Sequence, residues 1–328
     1  MNKQNLNWGI IGCGDVTEVK SGPAFNKVPQ SKLVAVMRRN AAKAKDYAER
    51  HGVPKWYSNA SELINDPDVN AIYVATPPLN HEEYTTEALR AGKPVYVEKP
   101  MALNASAAER MVQASQETGS KLTVAHYRRQ QPLFLQLKLL LDEKALGDVR
   151  FVNLQFFQPY NTSVVAKTEE NWRIDPSISG GGLFYDLAPH QLDLLLYFFG
   201  EPLTTSGLSL NASQLYNADD TVSGQALFKN NILFNGAWAF TVSERKDLCE
   251  IVGTKGSLRF SVFDQQPLVL IKEGKETRFE FDKPQHVQQP MIQKAVEYFL
   301  GHSPNPCSAE EGLIVMKMME AMTASLRI

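Results

Sequence analysis

The first 125 residues alternate between short apolar runs and segments of helical period, an order that few architectures accept. β-type runs are read at residues 8–11, 32–37, 71–75, 94–97 and 121–125. Between them, residues 41–51, 82–91 and 105–118 carry apolar side chains at spacings of three and four, and the first two of these segments stop at Gly52 and Gly92. Strands separated by helices of that length predict βαβ units, a parallel sheet flanked by helices.

After about Tyr127 the pattern changes. A helical stretch at 132–144 and a β-run at 149–157 lead into a long loop rich in Asn, Ser, Thr and Gly. A helical segment, 183–199, follows it. Further β-runs at 226–228, 232–242, 248–252, 257–262, 268–271 and 277–281 are separated by turn signals such as Asn230-Asn231 and Gly253-Thr254-Lys255-Gly256. They predict an open, mostly antiparallel sheet, and helices at 290–300 and 309–324 close the chain. The expected division is a first domain of residues 1–126 and a second of 127–328, in keeping with 328 residues in all.

Charge and cysteine usage narrow the partners. The 34 basic and 36 acidic side chains nearly cancel, which speaks against nucleic acid or an anionic membrane and leaves a small molecule. Cys13, Cys249 and Cys307 are odd in number and show no Cys-x-x-Cys spacing, so neither a disulfide framework nor a metal site is expected. The polar opening residues lack a signal-peptide core, and the greasiest stretch, 192–199, is far short of the roughly 20 residues that span a bilayer. A cytoplasmic location is the expectation.

The glycine run Gly9-Ile10-Ile11-Gly12-Cys13-Gly14 sits where a strand meets a helix. Gly12 and Gly14, with Asp15 and Val16 opening the helix, form a turn in which backbone N–H groups could approach a pyrophosphate. The third position of the fingerprint is Thr17 rather than glycine or alanine, which predicts slightly wider helix-to-strand packing. About twenty residues beyond such a turn an NAD site usually places an acid on the ribose hydroxyls. Here stand Met37-Arg38-Arg39. Two guanidinium groups could hold a 2′-phosphate, so NADP(H) is favoured with NAD(H) as the alternative, unless the arginines are simply solvated at a helix start. Thr76 and Pro77 follow the run at 71–75, on the strand edge where ligands dock, and His81 opens the next helix as a local cap or a cofactor contact.

Glu98-Lys99-Pro100 follows the run at 94–97 on that same edge. With Ala75-Thr76-Pro77, with Gly-Lys-Pro-Val-Tyr-Val-Glu-Lys-Pro from Gly92 to Pro100, and with Gly-Gly-Gly-Leu-Phe-Tyr-Asp-Leu-Ala-Pro-His from Gly180 to His190, the chain resembles the glucose–fructose oxidoreductase, inositol dehydrogenase and rhizopine-catabolism (Gfo/Idh/MocA) family over nearly its whole length. The resemblance implies an α/β protein: an N-terminal Rossmann-type parallel sheet plus a C-terminal α+β domain for substrate binding and oligomerisation. It places Lys99 near the nicotinamide and the substrate hydroxyl, with Glu98 beside it and a Lys99–Pro100 bond that is often cis.

It assigns the acid–base pair to Asp186 and His190, which share one helix face at a spacing of four, with the helix starting close to Asp186 so that Pro189 falls in its first turn. Trp172 and Arg173 would lie near the nicotinamide, or else merely pack under the loop. Tyr127 and Arg128, with Arg129, would face the cleft or pack in the core, and Tyr160 could line the substrate site. Hydride exchange with a secondary alcohol of a sugar, polyol or cyclic diol is the implied reaction. A redox-assisted glycosidase with held NAD and a non-catalytic cofactor-binding sensor are the alternatives. An antiparallel sheet with one uncovered face predicts a homodimer or homotetramer.

Overall fold

A computed structural model describes residues 5–160, 171–282 and 284–324. The chain divides into two compact units. One comprises Met1–Arg128 with Pro284–Met316, the other Arg129–Lys283 with Lys317–Ile328. Residues 284–316, however, pack with the first unit rather than with the 127–328 domain in which the sequence reading placed them.

In the first unit six strands pair in parallel: β1 (Leu6–Ile11), β2 (Ser31–Met37), β3 (Lys55–Tyr57), β4 (Ala71–Val74), β5 (Val95–Val97) and β6 (Leu122–Val124). Their order is β3-β2-β1-β4-β5-β6, so the chain reverses direction across the sheet between β1 and β4. In doubly wound sheets that reversal opens a crevice at the carboxyl ends of the strands. The helices are α1 (Asp15–Val19), α2 (Ala41–His51), α3 (Ala60–Ile64), α4 (His81–Arg90) and α5 (Ala105–Thr118). Asn40 and Asn104 start α2 and α5 by accepting from Lys43 N at 3.1 Å and Ala107 N at 2.8 Å, the side-chain service that stops the first-turn N–H groups from going unsatisfied. β3 and α3 escaped the sequence reading because three residues and one turn are too short to establish a period.

One face of this sheet is aromatic. Trp8 is fully buried with Phe25 at 4.8 Å and Phe299 at 5.6 Å between ring centroids, and Tyr73 stacks on Tyr96 at 5.3 Å. Burying one such side chain is worth about 1.5–3 kcal/mol. Phe299 belongs to α9 (Gln289–Phe299), which explains why the 284–316 segment joins this unit.

In the second unit eight strands run in the order β14-β13-β12-β11-β7-β10-β9-β8. They are β7 (Val149–Phe157), β8 (Thr204–Leu210), β9 (Thr221–Phe228), β10 (Ile232–Ala239), β11 (Lys246–Gly253), β12 (Ser257–Phe260), β13 (Leu268–Lys272) and β14 (Lys275–Phe279). Only β7 with β10 pairs in parallel. The helices are α6 (Pro132–Asp142), α7 (Pro176–Ser179) and α8 (Gly182–Phe199); α10 (Ala309–Thr323) starts among the residues of the first unit and ends among those of the second. Alternation along β9 and β10 sends Val222, Ala226, Phe234 and Trp238 to the buried face. There α8 lies against them, with Phe184 edge-on to Trp238 at 5.1 Å and Trp238 Nε1 donating to Gln191 Oε1 at 2.6 Å. Among the described residues no helix is long and apolar enough to cross a membrane.

Candidate active site

The glycine turn is built by close backbone approach. Gly12 has φ +97°, and a Cβ there would stand 2.7 Å from Thr76 N, so only glycine lets the loop after β1 touch the loop after β4. Gly12 N and Cys13 N both donate to Met37 O, at 2.9 and 3.1 Å, tying the same loop to the end of β2. Thr17, in the third fingerprint position, is fully buried; its Oγ1 donates to Gly14 O at 2.7 Å and its carbonyl accepts from Tyr47 OH at 2.8 Å. The hydroxyl therefore works as a brace within the turn. Burial pushes the Cys13 thiol up to about 11, with Arg38 pulling the other way, so this cysteine stays protonated.

A Cβ on Gly14 would meet none of the described residues within 4 Å. Asp15 and Val16 are the first two residues of α1, where N–H groups have no carbonyl in their own helix. Thr76 Oγ1 is buried and has no hydrogen-bond partner among the described residues. Arg38 Nη1 reaches Cys13 O at 3.4 Å, which sets this guanidinium beside the turn, while Arg39 next to it is exposed.

The loops after β4 and β5 are joined through His81. It is fully buried at the start of α4, with Nε2 2.7 Å from Thr76 O and Nδ1 3.0 Å from Pro100 O. Burial holds its imidazole below the ordinary range, against carbonyls that favour the charged ring. A neutral ring donates from one nitrogen only, so one of the two carbonyls accepts a hydrogen bond from His81 and the other lies in close contact with it. Pro77 opens the short 3-10 turn Pro78–Asn80 leading into it. The Lys99–Pro100 bond is cis. The Glu98 carboxylate faces inward and is 5% exposed; Oε1 accepts from Tyr73 OH and from Gln288 Nε2, each at 2.6 Å. Nothing in the sequence pointed to Gln288, which lies 190 residues from Glu98.

In the second unit the candidates lie on and around α8. The helix begins at Gly182, not near Asp186 as expected, and Pro189 is interior to it. Ser179 Oγ accepts from Gly182 N at 2.9 Å and so starts the helix a turn early. The bond that Pro189 cannot donate is offset by burial of α8 on nearly every side. Asp186 pairs with Arg173, Oδ2 to Nε 3.3 Å, and the Arg173 guanidinium lies 4.5 Å over the Trp172 ring. His190, one turn along the same face, is 5% exposed and meets Phe263 edge-on at 5.5 Å. The loop carrying Phe263 is held by Asp247, which accepts from Val262 N at 3.2 Å, Phe263 N at 2.6 Å and Asp264 N at 2.9 Å. Burial nevertheless pushes the Asp247 carboxyl up.

The remaining candidates scatter. Tyr127 and Arg128 share a 3-10 turn, the guanidinium 5.5 Å over the ring. Arg129 is committed to the core of the second unit, where it grips Asp193 with contacts of 2.7 and 3.0 Å, both side chains at most 2% exposed. Tyr160 is exposed and stacks on Tyr216 at 6.3 Å; of the loop expected to shape the substrate site, residues 161–170 lie outside the described residues.

A six-stranded doubly wound sheet with this turn, followed by a large mostly antiparallel sheet, is the architecture of a dinucleotide-binding protein. Residues 6–126 match the model described as "Oxidoreductase family, NAD-binding Rossmann fold", and residues 134–259 match the GFO/IDH/MocA C-terminal domain. The chain belongs to the GFO/IDH/MocA oxidoreductase family. It is 49% identical to Oxidoreductase P35 of Formosa agariphila, over 97% of this chain and 98% of that protein. It is 28% identical to the trans-1,2-dihydrobenzene-1,2-diol dehydrogenase of Xenopus laevis, covering 87% of this chain and 83% of that one. The aldose–aldose oxidoreductase of Caulobacter crescentus, solved with glycerol, superimposes with a TM-score of 0.85 at 25% identity, over 97% and 96% of the two chains.

Proposed function

We propose that this oxidoreductase uses NADP(H) in preference to NAD(H) to oxidise or reduce a secondary alcohol of a sugar, polyol or cyclic diol. The observation that carries the cofactor reading is Arg38 set against the phosphate turn, with Arg39 beside it where an NAD site would place an acid. The two guanidinium groups would grip the 2′-phosphate. Gly12 and Gly14, the first-turn N–H groups of Asp15 and Val16, and Thr76 would hold the pyrophosphate side, with Pro77, His81 and Glu98 fixing the loops around it. Trp172 and Arg173 are candidates for the nicotinamide end. The substrate class is carried over from the diol and aldose enzymes to which the chain is similar.

Bound NADP(H) supplies or accepts the hydride. Lys99 polarises the carbinol oxygen and stabilises negative charge developing there. His190 takes or returns the hydroxyl proton on an imidazole nitrogen, with Asp186 one turn earlier on the same helix face and itself oriented by Arg173. Tyr127, Arg128 and Tyr160 are proposed to shape substrate specificity.

Titration with NADPH and NADH tests the cofactor, and a screen of aldoses, inositols, glycerol and trans-1,2-dihydrobenzene-1,2-diol tests the chemistry. NADPH is expected to bind at least about tenfold tighter, the worth of one charge-assisted contact; equal or tighter binding of NADH would overturn the preference. A change in reduced-nicotinamide absorbance in step with product separates a dehydrogenase from a redox-assisted glycosidase, which releases sugar with no net change.

The exposed face of the second sheet carries Leu227, Leu233, Phe151 and Val252 in register on four neighbouring strands. Leu233 and Val252 are 42% and 36% exposed. We propose that a second copy of the chain covers this face in a homodimer or homotetramer. A monomer by light scattering at micromolar concentration refutes that.

A further inference from the structure

The structure assigns Gln288 and Tyr73 as positioning residues for Lys99, acting through the Glu98 carboxylate. Glu98 Oε1 takes Gln288 Nε2 and Tyr73 OH, each at 2.6 Å, and Glu98 Oε2 takes the Lys99 backbone N–H at 3.1 Å. On the far side of Lys99 the Pro100 carbonyl meets His81 Nδ1 at 3.0 Å. The main chain on both sides of Lys99 is thus tied to buried side chains, and one of these ties depends on a residue from the returning 284–316 segment. Gln288 is itself fixed at both ends: its N–H donates to Lys20 O at 3.2 Å, just beyond α1, and its Oε1 lies 3.5 Å from Tyr96 OH. Burial, followed by the nearby Glu98 charge, holds the Tyr73 phenol well above the ordinary range, so it remains a donor to the carboxylate. The returning segment therefore fastens the end of the phosphate-turn helix through the Gln288 main chain and the Lys99 turn through the Gln288 side-chain amide.

The inference rests on Lys99 acting at the reacting end, as proposed above. Gln288→Met keeps volume and removes the amide donor, and Tyr73→Phe removes the second donor to the same carboxylate oxygen. In the cofactor-free protein, NMR-detected hydrogen exchange at the Lys99 amide should quicken about tenfold in each variant, the equivalent of one weakened hydrogen bond, while the β4 amides keep their protection. With NADPH and the D-glucose or trans-1,2-dihydrobenzene-1,2-diol couple, kcat should fall about tenfold with KM for NADPH within twofold, as for a displaced catalytic group.

Unchanged Lys99 exchange in either variant, or exchange that quickens equally throughout the sheet, overturns the assignment. The Lys99→Ala variant separates the two readings. If it keeps near-normal turnover, the catalytic role of Lys99 is wrong, and the exchange data still decide the coupling. If it is inactive while Gln288→Met has wild-type kcat, the positioning role fails alone.

Discussion

The two units hold their candidate residues by opposite means. In the first, Gly12, Arg38, Thr76 and Lys99 occupy loops at the carboxyl ends of four strands, held by main-chain bonds such as Gly12 N to Met37 O and by His81 at the start of α4. In the second, Asp186, His190 and Asp193 project from one helix, buried on nearly every side. Loops bring backbone N–H groups to a ligand, which suits a cofactor whose phosphates are recognised without side chains. A packed helix fixes side-chain rotamers, which suits proton transfer, where small displacements are costly. Substitutions in the first unit should therefore act mainly on cofactor affinity, and those on α8 on turnover or on folding.

The sharpest contrast is His190→Ala. It should lower kcat about 10²- to 10⁴-fold while leaving NADPH affinity and the thermal midpoint near wild type, as read by steady-state kinetics and calorimetry. Three residues along the same helix the expected loss is of a different kind. Arg129→Leu removes the guanidinium from the buried Asp193 carboxylate and should cost about 3–5 kcal/mol in urea unfolding; a cost under ~1 kcal/mol would mean that this buried pair is replaceable by packing alone.

In the first unit, Arg38→Ala with Arg39→Ala should weaken NADPH binding about 10- to 100-fold and leave NADH binding within twofold. Loss of both affinities together would place the arginines on the pyrophosphate instead. The smallest effect concerns how α1 is braced. Hydrogen bonds from Arg50, and also from His51, hold the Glu18 carboxyl at about 2, below its ordinary 4.5. Its contribution to stability is complete above pH ~4.5 and is lost as pH falls through about 2. Glu18→Gln should flatten that part of the acid-unfolding curve, weakly and less so in high salt, because the pair is partly exposed.

Much of the first unit was legible because its elements follow short-range rules. The periods at 41–51 and 105–118 match α2 and α5 in full, since an asparagine cap and an amphipathic stripe are local signals. β3 and α3 were too short to read, and β8, with small or polar residues in most of its positions, carried no apolar alternation. The start of α8 was misplaced because Pro189 reads locally as a first-turn residue. Ser179 and the burial of the whole helix overrule that signal. Asp186 and His190 fell on one face as their spacing required, but the pairing of Asp186 with Arg173 joins residues on different elements and could not be read from spacing.

What the sequence determined by itself was the set of loops able to meet a dinucleotide, and with it the family. Glycines, Thr76-Pro77 and Glu98-Lys99-Pro100 each act through the backbone at their own position. Only the tertiary structure decided which side chains serve the fold. Arg129 turned to Asp193, Glu98 to Tyr73 and Gln288, and residues 284–316 joined the first unit. The physical reason is burial: a polar group removed from water must find its partner wherever the fold brings one, and that partner can lie any distance away along the chain.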